Sequence, residues 1–548
     1  MRALVTLRAH LGFVVLVAIA APAMLAFARS DHISMVGDDS VSYLILARHM
    51  IGIAGPLLEP WVGHHAQFPP LFPALLAASG GATDLARAHA LVGVCAALAL
   101  VPIYRIAALR LGTNFAGLAV TAAFLLTPGA WIAIRGILSE SLFLLVSMTA
   151  LVYYEARLSR EAGPARRWIM FGLLLACAVL ARSIGVALVA AYGLHAVLRW
   201  RAGDAARARL LLPFVPCVLL AGAWLLVRPA PSGMTYVNII ASRVDGMIHD
   251  PSGYLSHCAS LMLAGWVRCF AADSAVDATT RSVFAALGIV ALAGSVLAAG
   301  RNRLDGWYVL ASIAIVFPWL FFEDNTRRLL YPLVPLLLLH VAELGVFIAE
   351  KLGLGKQGRR ALFATAALPA VLCAPAFLLV QSKALDDAPL VAGSSYAPRD
   401  ITDYYTLLQG ARAAAAQEIT ILTGLESLAR ITPPGSKVMW VRPDYVAFLG
   451  RRQGVPWYVR ASPIETARAA RREGVDFLVL SSLVKADLAG VLDQPQLIYD
   501  TALEFSHAVA RRGRAGGEQF DFVVMAIDPA ALDAYLAKHD TPQAGAVR

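Results

Sequence analysis

The sequence predicts a polytopic α-helical membrane protein that ends in an extracytoplasmic α/β domain, and three observations carry that prediction. Of 548 residues, 58% are hydrophobic and 15% charged, whereas about a quarter of a soluble globular chain is charged. The apolar residues are also concentrated: runs rich in Leu, Ala and Val fill the chain to about Val380, and charge becomes dense after Asp386. Finally, most basic residues before that boundary sit in short turns between apolar runs. A nucleic-acid binder would instead interleave them with aromatics along one stripe. The net charge of +10 therefore reads as membrane topology, with lipids and no nucleic acid as partners. Two regions follow: a transmembrane region 1–381 with outer loops 30–85 and 229–280, and a soluble region 382–548.

Runs near the length that crosses about 30 Å of hydrocarbon lie at 11–29, 86–108, 114–133, 137–155, 168–182, 184–198, 210–228, 281–299, 306–322, 329–349 and 361–381. They make about eleven crossings. Arg2 and Arg8, Arg105 and Arg110, Arg157 to Arg167, Arg199 to Arg209, Arg301 and Arg303, and Lys351 to Arg360 all fall on one side. The positive-inside rule makes that side cytoplasmic. Loops 30–85, 130–136, 229–280 and 323–328 are then outside with the C-terminal domain, in a chain expected in the bacterial cytoplasmic (inner) membrane. The first run also reads as a cleavable signal segment, because Arg2 and Arg8 precede it and Ala26-Phe27-Ala28 resembles a cleavage site. Retained or removed, it leaves the next loop outside.

Cys95, Cys177, Cys217 and Cys373 lie in apolar runs and read as small buried side chains. Cys258 and Cys269 share the hydrophilic loop 229–280, where an oxidising compartment permits a disulfide. Beyond the last run a helix is expected over about 400–430. Strands are expected at 436–441, 455–459, 476–481, 496–499 and 520–527 from their β-branched and aromatic content. Ser462-Pro463-Ile464-Glu465 opens a helix with a capping box and proline at its first position. With no phosphate-binding glycine loop evident, this domain reads as a packed accessory unit.

Candidate chemistry gathers at the outer ends of the spans. Gly37-Asp38-Asp39-Ser40 follows the first run, with Tyr43, Leu44 and Ala47 at helical spacing beyond it. Adjacent carboxylates raise one another's pKa and suit a general base; at a helix start they also suit a cap. Gln67-Phe68-Pro69-Pro70 leads into a short apolar helix too brief to span. Arg135 and Ser139-Glu140-Ser141 precede another span, so Glu140 is either a charge at a helix start or a second carboxylate facing the same site. Arg182 sits at an outer hairpin, where it needs an anionic partner or exposure. Arg327 and Arg328 stand at an outer membrane edge, suited to snorkelling or to a lipid phosphate.

Taken in order over residues 30–340, these motifs resemble the GT-C fold glycosyltransferases of the protein O-mannosyltransferase and lipid A aminoarabinose transferase superfamily. The resemblance rests on the acidic pair followed by Tyr43 and Ala47-Arg48, Pro69-Pro70-Leu71, Ser139-Glu140, Arg182-Ser183-Ile184-Gly185, and Arg328 four residues before Pro332. Thr432-Pro433-Pro434-Gly435 and Gly474-Val475-Asp476-Phe477 resemble the family's extracytoplasmic domain. The family's loop carries Asp-Glu with tyrosine four positions after the aspartate. That spacing selects Asp39, with Ser40 where glutamate is usual and Asp38 as the alternative base. The basic residue that often precedes the double proline is replaced by Gln67 and Phe68.

The resemblance implies a polyprenyl-phosphate-linked sugar donor and a cell-envelope acceptor. Catalytic roles fall to Asp39, Asp38 and Glu140, and donor-phosphate binding to Arg182, Arg328 and Arg327. Tyr43, Arg48, Gln67, Pro69, Pro70 and Arg135 are then expected around the substrates. A phosphate leaving group needs cations more than an acid, and a single displacement inverts the anomeric centre. No cofactor is required. A divalent metal stays open, since some related transferases use one and His64 and His65 lie in the first outer loop. The rival readings are a secondary transporter, which places ionisable groups near the bilayer midplane, and a non-catalytic lipid-binding protein.

Overall fold

The computed structural model describes residues 2–159, 163–203, 207–231, 236–273, 275–319, 323–353, 370–457, 462–482, 500–513 and 520–539. Among these, helices occupy the described part of every predicted span. Six are long and apolar enough to cross a membrane, or up to seven if one bent pair counts as a span. The expected eleven are therefore not reached on length and composition. Asn114–Leu125 and Leu304–Val316 hold 12 and 13 residues, about 18–20 Å at 1.5 Å per residue. Residues 361–369 of the last predicted span lie outside the described residues, and its remainder forms the helix Ala370–Lys383.

Local chemistry sets the helix limits. Leu85–Leu111 starts where the Asp84 carboxylate accepts the Arg87 backbone N–H at 3.2 Å, and stops at Gly112, whose φ of 73° is a left-handed cap. At its far end, roughly 40 Å from Leu85, Arg110 donates to Asp305 at 2.6 Å and to Glu343 at 3.0 and 3.1 Å. Arg303 adds a 2.8 Å bond to Glu343. These paired charges fasten three helices at the end opposite the acidic loop.

Two expectations change. The segment 229–280 is no open loop: it carries the helices Tyr236–His249 and Pro251–Ala271. Gly129 meets the Cys269 backbone of the second helix, and that helix's Gly265 meets Thr326. Cys258 and Cys269 lie on that one helix and are free and buried. Eleven residues of helix separate them by about 16 Å, far beyond the reach of a disulfide.

Among its described residues the C-terminal region holds a five-stranded mixed sheet in the order β2-β1-β3-β5-β4. The strands are β1 Lys437–Trp440, β2 Gln453–Pro456, β3 Phe477–Ser481, β4 Ser506–Gly513 and β5 Phe520–Ile527. β1 is parallel to β2 and β3, whereas β5 is antiparallel to β3 and β4. The predicted strand 496–499 lies outside the described residues. β4 was not foreseen, because its His507, Arg511 and Arg512 lack the usual strand composition. Among the described residues it is an edge strand, where such charges discourage further pairing.

Strand alternation divides the sheet's faces. Met439, Leu478, Val523 and Met525 join Ala467 and Leu532 in a local core under the helices Pro463–Glu473 and Pro529–His539. Val438, Trp440, Val479 and Phe522 point the other way, into a core shared with the helix Ala411–Ile431 and with the membrane helices. The regions 1–381 and 382–548 thus share continuous apolar packing.

Candidate active site

The chain turns at Gly37, with φ at 87°, a conformation that favours glycine, and the acidic pair follows at once. Asp38 is buried, with its Oδ1 accepting the Ser40 N–H at 2.9 Å and its Oδ2 the Ser40 hydroxyl at 2.8 Å. Burial raises its pKa, and the Ser40 bonds and the Arg328 charge only partly oppose that. Asp39 occupies the N-cap position of the helix Ser40–Met50 but makes no side-chain capping bond. Its Oδ2 lies 2.7 Å from Arg328 Nη2, and its side chain remains 34% exposed.

Arg328, from the helix Glu323–Leu330, also donates through Nε to Glu140 Oε1 at 2.6 Å. Glu140, first residue of the helix Glu140–Arg157, is 1% exposed and receives Arg182 Nη1 at 2.7 Å on the same oxygen. Arg182 stands at a break: Ala165–Ala181 ends there, and a short turn Ser183–Gly185 follows. Gly185 permits that turn, because a Cβ would sit 2.3 Å from the Ala178 carbonyl oxygen. An unpaired buried carboxylate costs several kcal/mol, and two guanidiniums offset that cost for Glu140. The result is a run of alternating charge, Asp39, Arg328, Glu140, Arg182, with Asp39 its most exposed member.

Tyr43 joins this run indirectly, its hydroxyl 2.8 Å from Ser139 Oγ. Its ring packs on Phe68 and Phe72 at 5.2 and 5.0 Å, so the double-proline segment backs the site. Pro69 is buried, Pro70 precedes the helix Leu71–Ala78, and Gln67 is half-buried. Three predicted residues lie elsewhere. Arg48 donates to the Ala82 carbonyl at 2.9 Å and stacks on Phe448 at 4.2 Å. Arg135 is 2% exposed and donates to the Phe27 and Arg399 carbonyls. Arg327 is buried beside Thr326, where the helix Pro251–Ala271 packs.

Sequence reasoning missed the contribution of the C-terminal domain. Arg442 donates to the Asp38 carbonyl at 3.2 Å and pairs with Asp444 at 3.0 Å. The Tyr445 hydroxyl lies 3.0 Å from both Asp38 Oδ1 and the Met35 carbonyl oxygen. Burial pushes the Asp444 pKa up, but the charge and hydrogen bond of Arg442, helped by His65 and the Tyr445 N–H, together overcome it and lower the pKa. His65 Nε2 is 3.7 Å from Asp444, but burial lowers the His65 pKa to about 4, so Arg442 is the charged partner of Asp444 near neutrality. Arg442-Pro443-Asp444 reads locally as a helix start, and no sequence signal ties it to Asp38, 404 positions away.

Among the described residues no group of three or more His, Cys, Asp or Glu side chains is set to hold a metal ion. His65 faces Asp444 and Phe68, and the contacted Asp39 oxygen faces Arg328.

No family model and no curated protein matches the sequence. The fold is similar to that of ArnT from Cupriavidus metallidurans bound to undecaprenyl phosphate, with a TM-score of 0.50 at 15% identity, covering 94% of this chain and 98% of that one. Against the apo state of the same enzyme the TM-score is 0.51 at 13% identity, covering 95% and 98%. The oligosaccharyltransferase of Archaeoglobus fulgidus, in complex with Zn and sulfate, gives 0.52 at 12% identity, covering 96% of this chain and 74% of that one. At these identities the likeness establishes a shared fold.

Proposed function

We propose that this chain, which has the GT-C fold, is a membrane glycosyltransferase moving a hexosyl or pentosyl group from a polyprenyl-phosphate donor to a cell-envelope acceptor. The observation that carries the proposal is the partly exposed Asp39 carboxylate set against Arg328, which shares Glu140 with Arg182. Asp39 takes the proton of the acceptor hydroxyl as it attacks the anomeric carbon. Arg182 and Arg328 receive the negative charge that grows on the departing phosphate. A guanidinium carries five N–H donors, and the contacts described use only one or two from each, so donors remain for phosphate oxygens.

Glu140 keeps both cations aimed at one place. Tyr43, through Ser139, fixes the wall beside them. Asp38 is the weaker candidate for the base, since Ser40 and Tyr445 already occupy its oxygens. Attack opposite the leaving phosphate inverts the anomeric centre. The similar ArnT is described with undecaprenyl phosphate bound, which supports a lipid phosphate as the donor's anchor here. No proposed step is routed through a metal.

The test is transfer by the reconstituted protein from labelled undecaprenyl-phosphate pentoses and hexoses to an envelope extract, with Arg328→Ala and Arg328→Lys alongside. Label should move with the wild type, fall most with alanine and partly recover with lysine, which keeps a point charge without the planar fork. Transfer from none of these donors, or equal donor kinetics in all three proteins, would contradict the proposal.

A further inference from the structure

The loop that carries the acidic pair is held mainly by the C-terminal domain. The Ser30 hydroxyl donates to Asp400 Oδ1 at 3.0 Å, and the Ser34 carbonyl accepts the Thr402 N–H at 2.8 Å. The Val36 N–H donates to Glu418 Oε2 at 2.9 Å. Met35 and Asp38 are then met by Tyr445, and the Asp38 carbonyl by Arg442. These ties span nine residues and come from three separate elements: the segment at 400–402, the helix Ala411–Ile431, and the helix Pro443–Phe448 with its N-cap Arg442. A domain merely resting on the membrane region would meet side chains at a rim. Here it satisfies the main chain of the segment that aims Asp39.

The contacting elements are themselves rigid. Strand β2 passes so close that a Cβ on Gly454 would lie 2.0 Å from the Pro443 carbonyl oxygen. The helix Ala411–Ile431 is clamped under the sheet, with Gly424 against the Phe522 ring. Buried main-chain groups require partners, and the Ser34, Met35 and Asp38 carbonyls and the Val36 N–H find theirs in residues more than 360 positions away. We propose that the C-terminal domain is the template of the catalytic loop, with Tyr445, Arg442 and Glu418 as positioning residues that fix where Asp39 points. This rests on the reading of Asp39 as the base.

Positioning and mere anchoring predict different results. Tyr445→Phe removes the hydroxyl that reaches Asp38 and Met35 and leaves the ring's packing intact. Glu418→Ala removes the acceptor of the Val36 N–H, and Glu418→Gln restores one. The expected outcome is a fall of about tenfold in kcat for Tyr445→Phe and Glu418→Ala, with donor KM changed less than about twofold and recovery in Glu418→Gln. Amide hydrogen exchange at residues 36–40 should quicken in the two impaired variants and not in Glu418→Gln. Wild-type kcat and wild-type exchange in Tyr445→Phe and Glu418→Ala would overturn the proposal. So would a loss of activity that only tracks the loss of folded protein. Should the wild type transfer no sugar, the proposed function fails and the exchange rates alone decide whether the domain templates the loop. Should Glu418→Ala fail to fold, Tyr445→Phe carries the same decision.

Discussion

Asp39 keeps a third of its side chain exposed while Asp38 is closed in by Ser40 and Tyr445, and the same substitution should act differently at the two positions. Asparagine ranks beside aspartate as a helix cap, so a purely structural Asp39 would tolerate it. As a base it would not: transfer by Asp39→Asn should fall about 100- to 10,000-fold with the protein still folded, and Asp38→Asn should lose less. For Asp38 the sharper readout is stability against pH. Burial raises its pKa, so the unfolded chain releases that proton first, and folding is opposed by the ionised carboxylate at pH values above the folded pKa. Asp38→Asn should therefore match or exceed the wild type in thermal stability at neutral pH. That advantage should shrink as the pH falls towards the ordinary carboxylate range. A deficit at neutral pH that leaves transfer intact would make the Ser40 and Tyr445 bonds the larger effect.

Among the elements, those with strong local signals were legible in sequence. Apolar runs located the membrane helices, and the Ser462–Glu465 capping box is present, with Ser462 N–H donating to Glu465 at 2.8 Å. Elements defined by distant partners were not. The segment 229–280 looked hydrophilic because the buried positions of the helix Pro251–Ala271 crowd into its last turns, from Gly265 on, with Cys258 before them, and β4 looked like a loop because His507, Arg511 and Arg512 lack strand composition. Arg135 shows the same limit at a single position. Its place before Ser139-Glu140 suggested a substrate contact, yet its donors go to the Phe27 and Arg399 carbonyls and its charge lies over the rings of Phe27 and Tyr405. Arg135→Lys should lower the melting temperature by several degrees and leave donor KM unchanged in the folded protein, because lysine lacks the fork that reaches two carbonyls. A raised donor KM with unchanged melting would return Arg135 to the substrate site.

Across the whole molecule, charge is arranged at two ends. The Arg110, Asp305, Glu343 and Arg303 network balances two cations with two carboxylates, both of them buried, whereas the run from Asp39 to Arg182 ends in a carboxylate that solvent reaches. A transporter would be expected to hold its working charges between such ends, on broken helices near the midplane. The fold class and the helix positions could be read along the chain from hydropathy, whereas the grouping of Asp39, Glu140, Arg182 and Arg328 was implied only by the order of motifs that resembles the GT-C transferases. The docking of Arg442, Glu418 and Tyr445 could not be read, since it arises only when the folded membrane region brings the chain's later part back over a first loop 382 to 410 positions earlier. The most direct measurement of the central claim is mass spectrometry of polyprenyl-phosphate-linked sugars and envelope glycans. It would compare cells carrying the wild type, Asp39→Asn or no copy of this protein. A glycosyltransferase of the proposed kind should leave one lipid-linked sugar accumulated and one envelope sugar missing in both deficient strains; identical lipid-linked and envelope profiles in all three would contradict it.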